Sequence, residues 1–429
     1  MNRKKRLSIL ILSLVLIISC IGMSSCQILQ LALGGTGEDT LTKNDVQQMI
    51  NNSMGDNVTV NGGDNYNVTI SGAEQNNAAA GKALLSAVSI RCIFKTVNYG
   101  TSYQPGATAS REKASAGSGV IYKLDKTKGD AYIITNYHVV YYNQANTENG
   151  ISDNITLYLY GQENTMYAIP ATYVGGSMNY DLAILKVEGS RVLAESNAMA
   201  VSFADSDEVS VLDRAIAIGN PEALGISATL GYINVDSEYI QMEGADGMTA
   251  IQIRVMRMDT AVNSGNSGGG LFNDKGELIG IVNAKLTDSE NMSYAIPSNF
   301  VKYVAENILY YCDGQKNENV HRCFLGITVQ ASRLYTEYDQ ETGKVHKRED
   351  VGVISVENNS LATGVIEAGD VINSITVDGV TYEVNRMYIV TDSMLNARVG
   401  SVVVINVTRG ARTLDLTIEI KESSLTVVK

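Results

Sequence analysis

A chain of 429 residues is too long for one ordinary domain and argues for two or three. With 45% hydrophobic and 18% charged residues it can bury a sizeable core, which excludes wholesale disorder. The 33 Lys and Arg against 46 Asp and Glu leave a net charge of −13, which argues against nucleic acid as the main partner because phosphate contacts need clustered cations.

The N-terminus opens with Arg3-Lys4-Lys5-Arg6, followed by an apolar run from Leu7 to about Met23. A basic head before an uncharged hydrophobic segment is the pattern of an export signal or membrane anchor, with the head left in the cytoplasm and the body outside. Ile17-Ile18-Ser19-Cys20 resembles a bacterial lipobox, in which Cys20 would be acylated after cleavage. An uncleaved anchor, with Cys20 as one more apolar residue, fits equally. Either way residues 1–26 tether an extracytoplasmic body to the membrane. Residues 27–81 are polar and rich in Asn, Gly and Thr, and read as a spacer. One helix is expected over Leu41–Met54, and Asp56–Val60 with Asn65–Ile70 flank a Gly62-Gly63 turn as a hairpin.

From residue 82 to 312, short apolar or alternating segments recur between Gly and Asn turns. Ser89–Phe94, Gly119–Tyr122, Ala131–Thr135, Ile155–Tyr160 and Asp181–Val187 are examples, followed by Ala215–Ile218, Ile251–Val255 and Leu278–Val282. Such spacing predicts an all-β barrel or sandwich. A helical pattern stands out only at Ser298–Tyr310, where Phe300, Val301, Val304 and Ile308 share a face and Ser298 is the expected N-cap. A polar linker at 313–319 marks a domain boundary, and strands resume at Cys323. A bridge between Cys312 and Cys323 across that linker is sterically open.

The segment Asn263-Ser-Gly-Asn-Ser-Gly-Gly-Gly-Leu271 crowds glycines around Ser267. Such a backbone can aim several amides at one point beside the hydroxyl, as acyl transfer requires. A serine nucleophile needs a base, and the chain has three His. His321 and His346 lie in polar stretches and read as solvated, whereas His138 ends the apolar strand in Thr135-Asn-Tyr-His-Val-Val140. Asp181 opens the strand Asp181–Val187 and is the candidate to orient the imidazole. The order His138, Asp181, Ser267 is that of the chymotrypsin-type double barrel, not of subtilisin or the α/β-hydrolases. Three dispersed His and scattered Cys show no ligand spacing, so neither a metal nor another cofactor is expected.

Gly117–Ile121, Thr135–Val140, Asp181–Leu185, Ala217–Pro221, Gly265–Gly269 and Ser293–Ser298 together resemble the trypsin-like proteases of the HtrA (Deg) group. The resemblance covers roughly residues 83–429. It departs where that family usually carries proline and this chain has Ser264 and Gly270. It implies a nucleophile at Ser267, a general base at His138 and an orienting Asp181. It also implies oxyanion donors on the Gly265–Asn266–Ser267 backbone, each worth about 3–4 kcal/mol of transition-state stabilisation. Activity is then expected to rise with pH through ~6.5–7 as the imidazole becomes neutral. Asn283, Ala284 and Lys285 should border the primary pocket, and with no acid at its base an aliphatic side chain is the expected occupant. Residues 236–248 look like the family's sensor loop, without a residue that matches.

Residues 320–422 resemble a PDZ-like domain. Phe324-Leu325-Gly326-Ile327 would be the loop that takes a peptide's terminal carboxylate, and an open strand edge would accept the peptide as an added strand. Arg386–Leu395 would be the groove helix, with Ile389 and Val390 as lining. Residues 331–350 form a charged insertion. The resemblance further implies a homotrimer acting on misfolded or exposed protein segments. The alternative from another class is a catalytically quiet peptide-binding chaperone that keeps the barrels as scaffold, against which the presence of His138 argues.

Overall fold

The computed structural model describes residues 58–61, 67–98, 109–285, 292–312 and 320–428. The candidate lipidation site Cys20 and the helix expected over 41–54 lie outside them. The chain divides into two compact units, 1–78 and 79–429. In the first, β1 (Val58–Asn61) and β2 (Asn67–Ile70) pair antiparallel, with Val58 opposite Ile70, as the repeated Asn-Val-Thr pattern suggested. A helix not expected from periodicity, α1 (Ser71–Ser86), follows. Its buried positions include Ala79 and Ala83, residues too small to write an apolar stripe into the sequence. Among the described residues no helix is long and apolar enough to cross a membrane.

The second unit is built mainly of strands. Strands β3 (Ala87–Asn98), β4 (Ala109–Asp125), β5 (Asp130–Thr135), β6 (Asn154–Leu159), β7 (Ile169–Ser177) and β8 (Leu182–Val187) close a barrel in the order β3-β4-β5-β8-β7-β6. A second barrel runs β10-β11-β14-β13-β12-β9. It comprises β9 (Arg214–Gly219), β10 (Ser227–Glu243), β11 (Ala250–Met258), β12 (Gly270–Phe272), β13 (Leu278–Lys285) and β14 (Ser293–Pro297). Closure leaves neither sheet an exposed edge. In β6 the alternation is clean, with Ile155, Leu157 and Leu159 buried inward. In β8 it vanishes for a physical reason: Ala183, Leu185 and Val187 fill the first barrel's core, while Leu182 and Ile184 on the opposite face join the layer between the barrels.

That layer is completed by the helix after β14, which spans Ser298–Tyr311 and buries Phe300, Val301, Val304, Ala305 and Ile308. The cap differs from expectation. Pro297 is the N-cap, and the Ser298 hydroxyl donates to the Ala204 carbonyl at 2.9 Å, so the side chain anchors the helix to a neighbouring loop instead.

After the linker, β15 (Val320–Cys323) pairs with the last strand of the chain. Strands β16 (Ile327–Tyr338), β17 (Val345–Val356), β18 (Val371–Val377), β19 (Val380–Glu383), β20 (Val402–Arg409) and β21 (Arg412–Glu419) form one sheet, and β22 (Leu425–Val428) closes against β15. The expected groove helix is Met387–Asp392, continued by a 3₁₀ turn over Ser393–Asn396; Ile389 and Val390 are both buried in this domain's core. The charged insertion 331–350 is the outer part of a β16–β17 arm that lies against the second barrel. Lys344 meets Asp213 at 2.6 Å, and Arg386 and Lys347 meet Asp236 on β10 at 2.7 and 2.9 Å. His346 is therefore buried at 8% exposure, beside Ser210 and Glu208, and not solvated as its sequence neighbours implied. His321 likewise stacks on Tyr311 with centroids 4.0 Å apart. Cys92 and Cys323 are buried free thiols.

Candidate active site

The site forms where the two barrels meet. β5 ends at Thr135, and the chain turns through Asn136 into a single helical turn, Tyr137–Val140. His138 sits on that turn and not on the strand, which carries its ring off the sheet toward the second barrel. Asp181 is not a strand residue either. Its φ is +48°, in the left-handed region, and β8 begins one residue later. The Asn136 amide donates to the Asp181 carbonyl at 2.8 Å, and the Asp181 N–H donates to Met178 O at 3.2 Å; these two bonds hold the uncommon backbone.

The Asp181 carboxylate accepts three hydrogen bonds. Its Oδ1 takes the His138 main-chain N–H at 2.9 Å. Its Oδ2 takes His138 Nδ1–H at 2.7 Å and the Asn283 amide at 2.6 Å. A carboxylate can only accept here, so the proton is on Nδ1 and Nε2 is left as the acceptor. The Asp181 side chain is 4% exposed and that of His138 35%. Burial by itself would lower the imidazole pKa, but the charge and hydrogen bond of Asp181 outweigh it, and the His138 pKa lies above its ordinary value.

Ser267 is on the loop joining the second barrel's β11 and β12. Two glycines shape it: Gly265 at φ +96° and Gly268 at φ +83°. A Cβ on Gly268 would lie 2.2 Å from Ser118 O and 2.3 Å from Thr135 Oγ1, so only glycine lets the nucleophile approach the first barrel. Ser118 fastens the two sides. Its N–H donates to Ser267 O at 2.9 Å and its hydroxyl to Gly265 O at 2.7 Å. The absent prolines do not leave the loop untied: Ser264 O accepts from Glu222 N–H at 2.7 Å, and Gly270 is paired in β12.

Within the loop the amides of Asn266, Gly268 and Gly269 donate to Asn263, Val282 and Asn266 carbonyls. The Asn266 N–H is thus spent in the turn and cannot be an oxyanion donor. The amides of Gly265 and Ser267 have no acceptor among the described residues. The Ser267 hydroxyl donates to the Asn283 carbonyl at 3.0 Å, not to His138. That position is one of the staggered χ1 wells open to a serine, and a rotation about χ1 moves the hydroxyl to another.

Asn283, expected to border the pocket, lines the cavity beside the catalytic residues; it is buried, its side-chain amide faces Asp181 and its carbonyl receives the serine. For Ala284 and Lys285 the structure describes the strand backbone. Ser118, Asn136 and the amide of Asn283 had no expected role, although Ser118 and Asn136 lie within the Gly117–Ile121 and Thr135–Val140 segments. A cavity of about 280 Å³ holds His138, Asp181, Ser267 and Asn283. Its opposite wall is the tip of the β10–β11 hairpin, Met242 to Ala245, pinned to the first barrel by Asn143 Nδ2 on Asp246 O at 2.9 Å. This tip lies in the stretch read as a sensor loop.

A double barrel with a carboxylate, an imidazole and a serine converging at its seam defines the class of trypsin-like peptidases. Residues 117–281 match the family model of the trypsin-like peptidase domain. The chain is 32% identical over 301 residues to the serine protease Do-like HtrA of Lactococcus lactis subsp. cremoris (strain MG1363), covering 67% of each protein. It is 31% identical over 332 residues to the periplasmic serine endoprotease DegP of Escherichia coli (strain K12), covering 74% of this chain and 60% of that one. Among solved structures it resembles the HtrA-type protease AlgW with tripeptide, at 25% identity and a TM-score of 0.50, over 82% of this chain and 97% of that one. The chain belongs to the HtrA serine proteases and is a serine endopeptidase.

Proposed function

We propose that Ser267, His138 and Asp181 carry out the hydrolysis. The Ser267 Oγ leaves the Asn283 carbonyl, passes its proton to His138 Nε2 and adds to the peptide carbonyl carbon. Asp181 keeps Nδ1 protonated and stabilises the imidazolium. The free amides of Gly265 and Ser267 hold the oxyanion. His138 then gives its proton to the leaving amine, the C–N bond breaks, and water repeats the cycle on the acyl-enzyme through the same base. The observation that carries this reading is the 2.7 Å bond between Asp181 Oδ2 and His138 Nδ1 in the cavity that also holds Ser267.

The working place is extracytoplasmic, with the body tethered by residues 1–26; the basic head and apolar run support it, as does the periplasmic naming of one relative. Substrates are misfolded or exposed protein segments. The C-terminal domain takes peptide C-termini at Phe324–Ile327, where the Leu325 and Gly326 amides have no acceptor among the described residues and β16 lies at the edge of its sheet. A homotrimer follows by analogy with the family.

A fluorophosphonate probe tests the chemistry. Labelling of the wild-type protein that disappears in Ser267→Ala is the expected result. Absence of labelling, with or without a peptide ligand, would favour a quiet chaperone.

A further inference from the structure

We infer that Arg322 and Tyr180 are positioning residues through which the C-terminal domain sets the geometry of Asp181. Tyr180 directly precedes Asp181, whose left-handed backbone persists only while its surroundings hold it. Its side chain is 8% exposed, with the ring edge-on to Phe300 at 5.1 Å and 88°. Its phenol oxygen accepts a hydrogen bond from Arg322 Nη1 at 3.1 Å.

Arg322 belongs to β15, the first strand beyond the linker. Its guanidinium covers the Phe324 ring at 4.8 Å. Phe324 is 49% exposed and opens the loop assigned above to peptide carboxylates. A guanidinium is planar and rigid, so displacement of the ring beneath it is passed to the phenol at its other end. The Nε of Arg322 is buried without an acceptor among the described residues, so its hydrogen bond to Tyr180 is the polar side-chain contact that aims the group. The result is a continuous strut from the Phe324 loop through Arg322 and Tyr180 to Asp181, and from there to His138. Neither Arg322 nor Tyr180 lines the catalytic cavity, and no step of hydrolysis uses them.

The response to loop occupancy rests on the peptide-site reading; the positioning of Asp181 does not. The test uses the full chain and a fluorogenic peptide substrate. kcat and KM are measured with and without a peptide ending in a free carboxylate. Binding of that peptide, and of its amidated form, is followed by fluorescence anisotropy. Tyr180→Phe removes only the phenol oxygen, and Arg322→Lys keeps the charge without the planar fork; thermal unfolding of each variant is recorded alongside. Tyr180→Phe and Arg322→Ala should lower kcat at least about five-fold with KM unchanged and abolish the peptide's effect on kcat, with peptide binding intact. Arg322→Lys should recover part of the loss. Wild-type kcat and a wild-type peptide response in both variants would overturn the inference. If the wild-type protein binds neither peptide, the peptide-site reading falls, and a selective loss of kcat in Tyr180→Phe would still support the strut.

Discussion

Gly268→Ala tests whether the approach of the nucleophile loop to the first barrel sets the rate. The new methyl would lie 2.2 Å from Ser118 O and 2.3 Å from Thr135 Oγ1, both fixed on the first barrel. Reaching an ordinary contact requires the loop to retreat by about 1 Å, and a misplacement of that size costs about 10²-fold in rate, or about 2.7 kcal/mol. The left-handed φ of +83° adds about 1–2 kcal/mol of backbone strain that falls on stability. Gly161→Ala isolates that second part, because Gly161 has a φ of +74° and nothing within 4 Å of its missing Cβ. The assay is the second-order rate of fluorophosphonate labelling, with unfolding midpoints for all three proteins. Gly161→Ala should label at the wild-type rate and Gly268→Ala about a hundred times more slowly. A Gly268→Ala protein that labels within a few-fold of wild type and unfolds like Gly161→Ala would refute the reasoning.

The acid limb of kcat/KM should have its midpoint above 6.5, because Asp181 holds the His138 pKa up and the base must be neutral to act. The same pair stabilises the fold fully below 6.5 and loses that contribution as pH rises through the raised value, so activity and this share of stability run in opposite directions; a profile flat from pH 5 to 8 with chemistry limiting would count against the assignment. Asp181→Asn, which removes the acceptor that fixes the imidazole tautomer, should reduce kcat by about 10⁴-fold, read by steady-state hydrolysis, and a loss under ten-fold would reject the orienting role. Asp392→Ala should cost about 3–5 kcal/mol in urea unfolding, because it removes the 2.7 Å partner of Arg254, whose side chain is 4% exposed, and leaves it only Asp207 at 3.9 Å as a carboxylate. Replacing both members by apolar residues should restore most of that loss; a single variant as stable as wild type would show that the charge is solvated.

Much of the fold was legible because barrel strands write their burial into the chain. Ile155, Leu157 and Leu159 alternate, and the unbroken apolar run Leu182 to Leu185 is what a strand segment covered on both faces must look like. The helix after β14 showed its stripe because it buries Phe, Val and Ile; α1 stayed hidden because it buries alanines. His346 was misread for a related reason. Its sequence neighbours are charged, but those charges pair with carboxylates of the second barrel and bury the ring between them.

Sequence by itself determined the chemistry on offer: one serine among glycines, one histidine in an apolar context and one aspartate, in an order that few folds use. It determined this because residue type and spacing are local properties of the chain. Tertiary structure alone decided that Asp181 stands in a left-handed turn, that Asn283 clamps its carboxylate while receiving the serine, and that Ser118 ties the nucleophile loop to the other barrel. Those contacts join residues 102 and 147 positions apart. Hydrogen bonds over such separations exist only once both barrels have closed, and no local pattern encodes them.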